Sequence, residues 1–188
     1  YRPSAVGFDN LGKHAFAVTQ DGITVVSLDG EPAVTKNIKL GNGLSGDAVT
    51  QDVAITPDGT FALLRQEGDA SVGVYSLSTG EHVDVALSGP VTDLDLSANG
   101  KVAVCVIRDK GEVALLPIPD IAADPTAFTT VTVPDVVIGS ASLPKESSLA
   151  FLYTGFHTGD PLALTRCYQG VVRLEQGRLV EAEALLKS

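Results

Sequence analysis

The stretch VAITPDGTFALL, residues Val53–Leu64, carries the pattern that decides the fold of this chain. An apolar run is followed by the turn sequence TPDG at residues 56–59, and a second apolar run follows the turn. Proline presets the backbone early in a turn, and glycine accepts the left-handed conformation that many turns require. The stretch therefore predicts two antiparallel strands, one at residues 51–55 and one at residues 61–65.

The same pattern recurs three more times along the chain. The other copies are AVGFDNLGKHAFAV from Ala5, LDLSANGKVAVCV from Leu94 and ASLPKESSLAFLY from Ala141. The turn positions Gly12, Gly59, Gly100 and Ser147 are 47, 41 and 47 residues apart. Two further strands are predicted after the second hairpin, at residues 71–77 and 82–87. Each repeat therefore predicts a unit of four antiparallel strands.

A period of about 40–45 residues made of short strands is the sequence signature of β-propeller blades. The segments TPDGTFAL (56–63), SANGKVAV (97–104) and VGVYSLSTGE (72–81) resemble WD40-like repeats and, more closely, bacterial YVTN-type repeats. Tyr75-Ser76 stands where WD40 repeats have Trp-Asp. The resemblance implies a mainly β fold, with about three and a half propeller blades in an incomplete ring over residues 1–155.

The β pattern breaks after Tyr153, and residues 161–188 have a helical spacing of apolar residues. Around Gly170, Gly177 and Ala182 this tail resembles one tetratricopeptide repeat. That resemblance implies a short C-terminal α-helical hairpin, and a helical hairpin docked on the propeller is the alternative. The abrupt break also suggests that residues are omitted near 154–161, or that the chain is one part of a larger protein.

The composition argues against two classes of binding partner, nucleic acids and membranes. The chain has 188 residues, a net charge of −10 and an estimated pI of 4.6. An acidic surface repels phosphate backbones, so nucleic-acid binding is not expected. The longest apolar runs are far shorter than the ~20 residues of a membrane-spanning helix, so no membrane insertion is expected. Cys105 and Cys167 lie in different predicted elements, which favours a buried free thiol at Cys105 over a disulfide.

The sequence shows no catalytic, cofactor-binding or metal-binding set. His14, His82 and His157 do not lie at a metal-ligand spacing from one another or from cysteines and carboxylates. Asp93 and Asp95 would point to the same face of a strand. That arrangement allows a cation site, but the edge of a wet central channel is the favoured interpretation. No catalytic residue, cofactor or metal is therefore predicted.

Partner-binding residues are expected in the loops after the second strand of each repeat, because loops on a rigid scaffold carry recognition residues. These loops contain Arg65, Asp69, Arg108, Asp109 and Lys110, with Glu67 beside them.

The favoured function is a non-enzymatic protein-interaction scaffold that binds a protein partner, either within a larger protein or as a subunit of a larger assembly. The resembled families also include propeller enzymes of lactonase or dehydrogenase type, which form the alternative. The repeats and the acidic surface favour the bacterial periplasm or the cell surface, with the cytoplasm left open.

Overall fold

The computed structural model describes residues 5–19, 22–40, 51–133, 137–143, 149–153, 169–175 and 178–185. These residues form sixteen strands, one short α-helix and a 3₁₀ turn. The strands are grouped into four antiparallel sheets of four strands each.

In each sheet the strands pair in chain order. The first sheet consists of β1 (Ala5–Phe8), β2 (His14–Thr19), β3 (Gly22–Ser27) and β4 (Ala33–Lys39). The second sheet consists of β5 (Gln51–Ile55), β6 (Phe61–Gln66), β7 (Ser71–Ser76) and β8 (His82–Ala86).

The third sheet consists of β9 (Asp93–Leu96), β10 (Val102–Ile107), β11 (Glu112–Pro117) and β12 (Thr129–Thr132). The 3₁₀ turn (Arg108–Lys110) connects β10 to β11, and the helix α1 (Asp120–Ala123) lies between β11 and β12. The fourth sheet consists of β13 (Ser140–Ser142), β14 (Leu149–Tyr153), β15 (Gln169–Glu175) and β16 (Arg178–Leu185).

The mainly β fold predicted from the repeats is confirmed, and the four strands of the second repeat agree with their predicted bounds to within one residue. The hairpins follow the sequence closely because the residues of each turn form hydrogen bonds with one another. Thr56 donates to the Asp58 carboxylate, which accepts the Thr60 amide at 3.0 Å. In the next repeat Ser97 donates to Asn99, which accepts the Lys101 amide at 3.0 Å. These side-chain bonds close each turn within its own sequence.

The helical hairpin predicted for residues 161–188 is wrong where the structure describes this segment. Gln169–Glu175 and Arg178–Leu185 are strands, and β15 pairs with both β14 and β16. Residues 180–184 read VEAEA, which alternates apolar and charged residues as a strand does. Pairing with β14 also satisfies backbone groups that a helix would leave open along that strand. The fourth repeat is therefore a full four-stranded sheet rather than half a blade.

The rest of that prediction, at residues 161–168, 176–177 and 186–188, lies outside the described residues, as do His157, Cys167 and the expected omission near 154–161.

Among the residues that the structure describes, three hydrophobic clusters form the core, and each lies between two consecutive sheets. Side chains alternate between the two faces of a strand, so a strand covered on both sides is apolar throughout. In β10, Ala103, Cys105 and Ile107 pack towards the second sheet. Val102, Val104 and Val106 of the same strand pack towards the fourth sheet. The continuous apolar run VAVCVI therefore follows from burial on both faces.

The turns of neighbouring sheets also contact each other at one end of the structure. The Asn10 amide donates to the Pro57 carbonyl at 2.7 Å. Gly100 has a φ of +68°, and a Cβ added there would lie 2.6 Å from Pro57 Cδ. Glycine is thus required at this position both by the backbone conformation and by the close approach of the neighbouring turn.

Candidate functional site: a charged rim and a groove at opposite ends of the sheets

Arg65 lies at the end of the second sheet where the candidate loops are found. Its Nε donates to Asp52 Oδ2 at 2.8 Å, its Nη2 forms an ion pair with the same carboxylate, and its Nη1 donates to the Val91 carbonyl at 3.1 Å. The side chain is only 12% exposed. The guanidinium therefore connects the inner strand β5 to the segment that leads into the third sheet.

Arg108 has a comparable position one sheet further on. Its Nη2 donates to the Gly139 carbonyl at 3.3 Å, just before β13 begins. Its Nε is buried and has no hydrogen-bond partner among the described residues. Arg65 and Arg108 each contact the backbone that enters the next sheet, so both help to hold consecutive sheets together.

Asp69, Asp109 and Lys110 are exposed, as is Glu67. The segment 87–92, which links the second and third sheets, brings their loops together. The Val91 amide donates to the Asp69 carbonyl at 3.0 Å, and the Leu87 amide donates to the Ala70 carbonyl at 2.8 Å. A Cβ added at Gly89 would lie 3.5 Å from Lys110 Cγ. We call this surface, formed by residues 66–70, 87–92 and 108–111, the charged rim.

A groove of about 610 Å³ lies at the opposite end of the second sheet. Its apolar lining includes Phe61, Val74 and Pro119, and its polar lining includes Glu81 and His82. The imidazole of His82 stacks on the Tyr75 ring, with centroids 4.9 Å apart and planes 12° apart.

The sequence predicts no helix at residues 120–123 and so does not indicate this groove, one wall of which is the helix α1. Ile121 is fully buried in the cluster between the second and third sheets and anchors this wall. An isolated apolar residue among prolines and aspartates was the only signal of such an anchor.

Asp93 and Asp95 connect two inner strands. Asp93 Oδ2 accepts the amide of Ala141 at 2.8 Å, and Asp95 Oδ2 accepts the amide of Leu143 at 3.0 Å. Burial raises the pKa of the Asp93 carboxyl above its ordinary value. The hydrogen bond from the Ala141 amide and the nearby charge of Arg65 reduce this increase but do not cancel it. The two carboxylates thus join β9 to the segment of β13, an arrangement that the alternating spacing alone did not indicate.

Two further candidates for chemistry in the described part of the chain, His14 and Cys105, are engaged or buried. His14 Nδ1 lies 2.8 Å from Asp9 Oδ2. Cys105 is a free, buried cysteine, and burial together with the charge of Asp93 raises its pKa to about 12. A thiol with such a pKa is not ionised at neutral pH and is a poor nucleophile.

Within the described residues, no group of three or more His, Cys, Asp or Glu side chains is placed to hold a metal ion. No helix in this part of the chain has both the length and the apolar character needed to span a membrane.

No protein family and no curated protein matches the chain. Solved structures do match it. The hydrazine synthase of Kuenenia stuttgartiensis aligns over 98% of this chain with a TM-score of 0.63 and 14% identity. The RRP9 WD40 repeats align over 95% with a TM-score of 0.61 and 11% identity, and U3-55K aligns over 95% with a TM-score of 0.60 and 10% identity.

At these identities the likeness shows the fold alone, and that fold is the stacked four-stranded blades of a β-propeller. The chain spans 49%, 50% and 51% of the three solved chains, so it corresponds to about half the length of each.

Proposed function

We propose that this chain is a non-catalytic protein-interaction module of the β-propeller class, which acts within a larger assembly and binds a protein partner through the charged rim. The observation that carries the proposal is the juxtaposition of Glu67, Asp69, Asp109 and Lys110, which are all exposed at one end of two stacked sheets. We further infer that the repeats are of YVTN type, since Tyr75-Ser76 replaces Trp-Asp.

The rim offers charges that a partner can use at little internal cost. In the described part of the chain, the four exposed side chains form no hydrogen bond or ion pair with other residues. Binding them therefore breaks no contact that stabilises the fold. Arg65 and Arg108 stabilise the loops of the rim, because their guanidinium groups donate hydrogen bonds to Asp52, Val91 and Gly139.

The charge of the rim indicates the chemistry of the partner. Three of the four exposed groups are carboxylates, and the whole chain carries a net charge of −10. Complementary charge accelerates association and suppresses wrong partners. The partner surface is therefore basic, and its binding weakens as salt screens the attraction over about 10 Å at 0.1 M ionic strength.

Affinity capture with matched charge reversals tests this proposal. The wild-type chain, the double variant Asp69→Lys/Asp109→Lys and the control Glu31→Lys are immobilised and offered the same lysate. Glu31 is exposed in the β3–β4 connection, at the other end of the first sheet. A protein captured by the wild type and the control is then purified, and its dissociation constant is measured for all three chains.

We expect the double reversal to weaken binding by at least tenfold and the control to leave binding unchanged. A partner that binds all three chains equally would contradict the role of the rim. If no purified partner binds the wild-type chain, the proposed function itself fails.

The enzyme alternative requires catalytic groups around the innermost strands. Among the described residues of those strands, Asp93 and Asp95 have their carboxylates bonded to backbone amides of the next sheet. Turnover of a lactone or of an oxidisable alcohol that Asp93→Asn abolishes and Glu31→Lys preserves would overturn the proposal of a non-catalytic module.

A further inference from the structure

The groove at the end of the second sheet has an apolar floor that continues the core. The strand register places Phe61 opposite Ser76 and Val74 opposite Val83. Because Ser76 and Val74 are two positions apart on one strand, all four side chains share one face of the sheet. Phe61 and Val83 are partly buried against the cluster between the second and third sheets, and Val74 belongs to that cluster. The floor is therefore held in place by the packing of two sheets.

The helix α1 of the third sheet forms the opposite wall of the groove. This wall presents Pro119, Ala122 and Ala123, and the buried side chain of Ile121 fixes it to the core. The alanine side chains are too small to fill the space between the wall and the floor. That space of about 610 Å³ is within the range of ~300–1,000 Å³ that is usual for ligand sites in proteins.

Glu81 adds a carboxylate to the same face as the apolar floor. The Ser76 amide donates to the Glu81 carbonyl at 2.8 Å, so the antiparallel pairing of β7 and β8 extends to Glu81. Glu81 and Val83 are two positions apart along this strand and point to one side of the sheet. At the rise of an extended strand, such positions lie about 7 Å apart.

The charge of Glu81 is not neutralised within the described part of the chain. Its Oε2 accepts a hydrogen bond from the Thr79 hydroxyl at 3.1 Å, and neither of the two ion pairs found there involves it. Lys36 contacts the same turn, but it donates to a backbone carbonyl. Asp120 and Asp124, at the two ends of α1, are exposed and add further negative charge near the wall. The groove therefore favours a cation beside an apolar group.

We propose that this groove docks an extended segment of a partner protein in which an aliphatic residue and a lysine or arginine are two positions apart. The aliphatic side chain contacts Phe61 and Val83, and the cation pairs with Glu81. In an extended segment, side chains two positions apart are separated by about 7 Å, which matches the spacing of Val83 and Glu81. The groove lies at the opposite end of the sheets from the charged rim, and its occupation does not depend on the function proposed for the rim.

A titration followed by nuclear magnetic resonance tests the proposal on the ¹⁵N-labelled chain. The probe is the acetylated and amidated peptide Gly-Leu-Ser-Arg-Gly. We expect it to shift the amides of residues 81–83 and 122–123 and to leave those of the rim residues 108–111 unchanged. The comparison peptides Gly-Leu-Ser-Glu-Gly and Gly-Ser-Ser-Arg-Gly each lack one of the two required groups and are expected to bind at least tenfold more weakly.

Two variants of the chain separate the contribution of charge from that of shape. Glu81→Lys is expected to weaken binding of the arginine peptide at least tenfold and to strengthen binding of the glutamate peptide. Its matched control is Glu31→Lys, because Glu31 follows Gly30 in the β3–β4 connection as Glu81 follows Gly80 in the β7–β8 connection. Ala123→Trp fills the groove and is expected to weaken binding of both peptides. Urea unfolding of each variant verifies that the fold is retained.

Several results would overturn the proposal. They are the absence of binding at millimolar peptide, shifts confined to the rim, equal binding of the three peptides, and unchanged binding by Glu81→Lys. Groove amides that shift with the concentration of the chain alone would assign the groove to a second copy and would also overturn it. None of these results affects the rim, whose test uses other residues and a purified partner, so the two proposals can fail separately.

Discussion

Asp9 shows how one side chain can fix the entrance to a repeat. Its carboxylate accepts the Lys13 amide at 2.8 Å and lies 2.8 Å from His14 Nδ1, so it closes the turn between β1 and β2. The next residue, Asn10, donates from its backbone to the Pro57 carbonyl of the second sheet. The conformation of this turn therefore affects both the first hairpin and its contact with the neighbouring turn.

Asp9 also makes the stability of the chain depend on pH. Burial alone would raise the pKa of its carboxyl, but the hydrogen bonds from His14 and from the Lys13 amide outweigh burial, and the pKa lies below the ordinary 3.8. A carboxyl with a lowered pKa stabilises the fold above pH 3.8, and this contribution is lost as the pH falls through the folded-state pKa. The loss therefore belongs to the acid range and not to neutral pH.

Asp9→Asn is expected to lower the free energy of unfolding at pH 7 by about 1.5–3 kcal/mol, the range for hydrogen bonds to charged groups. The difference between wild type and variant is expected to shrink between pH 5 and pH 2, as measured by urea unfolding. Asp29→Asn is the control, since Asp29 is exposed in the β3–β4 connection. A difference that stays constant with pH would contradict the assignment to the ionised carboxylate.

At the scale of elements, the pairing of β15 and β16 completes the fourth sheet. The register runs from Gln169 opposite Leu185 to Glu175 opposite Arg178, with an irregularity between Arg173 and Leu174. Two residues, Gln176 and Gly177, separate the strands, which is the length of the commonest hairpin connections. The short separation in sequence, and the edge of β14 that faces away from β13 and pairs with β15, together favour strands over the helices that the apolar spacing suggested.

Backbone chemical shifts distinguish the two structures for this segment. We expect the ¹³Cα shifts at residues 169–175 and 178–185 to lie below random-coil values, and the ¹³Cβ shifts to lie above them, as in strands. Residues 102–107, which are fully buried β10, provide the internal reference for a strand. Helical shifts in the C-terminal segment would restore the hairpin of helices and leave the fourth sheet incomplete.

The sequence predicted the hairpins well because the residues that define each hairpin lie close together in the chain. In the second and third repeats, a turn with its own side-chain bonds separates two apolar runs, and no distant residue is needed to define it. The C-terminal strands differ, since residues 178–185 have apolar residues at both helical and strand spacings, and the partner strand β14 decides between them. Tertiary pairing therefore overrides a local pattern that is ambiguous.

For a related reason, the sequence predicted the loops of the candidate site but not the contacts beneath them. The loops that carry Asp69, Asp109 and Lys110 were found, because loops of one type lie at one end of stacked sheets. The internal bonds of Arg65 and Arg108 were not found, because they join residues 26 and 31 positions apart through the packing of two sheets. The groove depends on Ile121, whose burial likewise follows only from the packed structure.

At the scale of the whole molecule, the second, third and fourth sheets each have an apolar interface with the sheet before them. The cluster between the second and third sheets contains Leu63 and Cys105, whereas Ile23 lies in the cluster between the first and second sheets. Stacked repeat units are stabilised by nearest-neighbour interfaces, so one interface can open without the others. Cys105 reports on one of these interfaces, because a thiol so deeply buried reacts only when the surrounding sheets separate.

Labelling of Cys105 by a thiol reagent is therefore expected to follow the opening of one interface, in a background of Cys167→Ser that leaves a single thiol. Leu63→Ala and Ile23→Ala both remove buried aliphatic groups and should each cost about 2–5 kcal/mol locally. We expect Leu63→Ala to accelerate labelling at least tenfold, which corresponds to about 1.4 kcal/mol. Ile23→Ala should have a much smaller effect, because its cavity lies one interface away. Equal acceleration by both variants would mean that the sheets open as one unit, so that stability is shared along the stack rather than held at each interface.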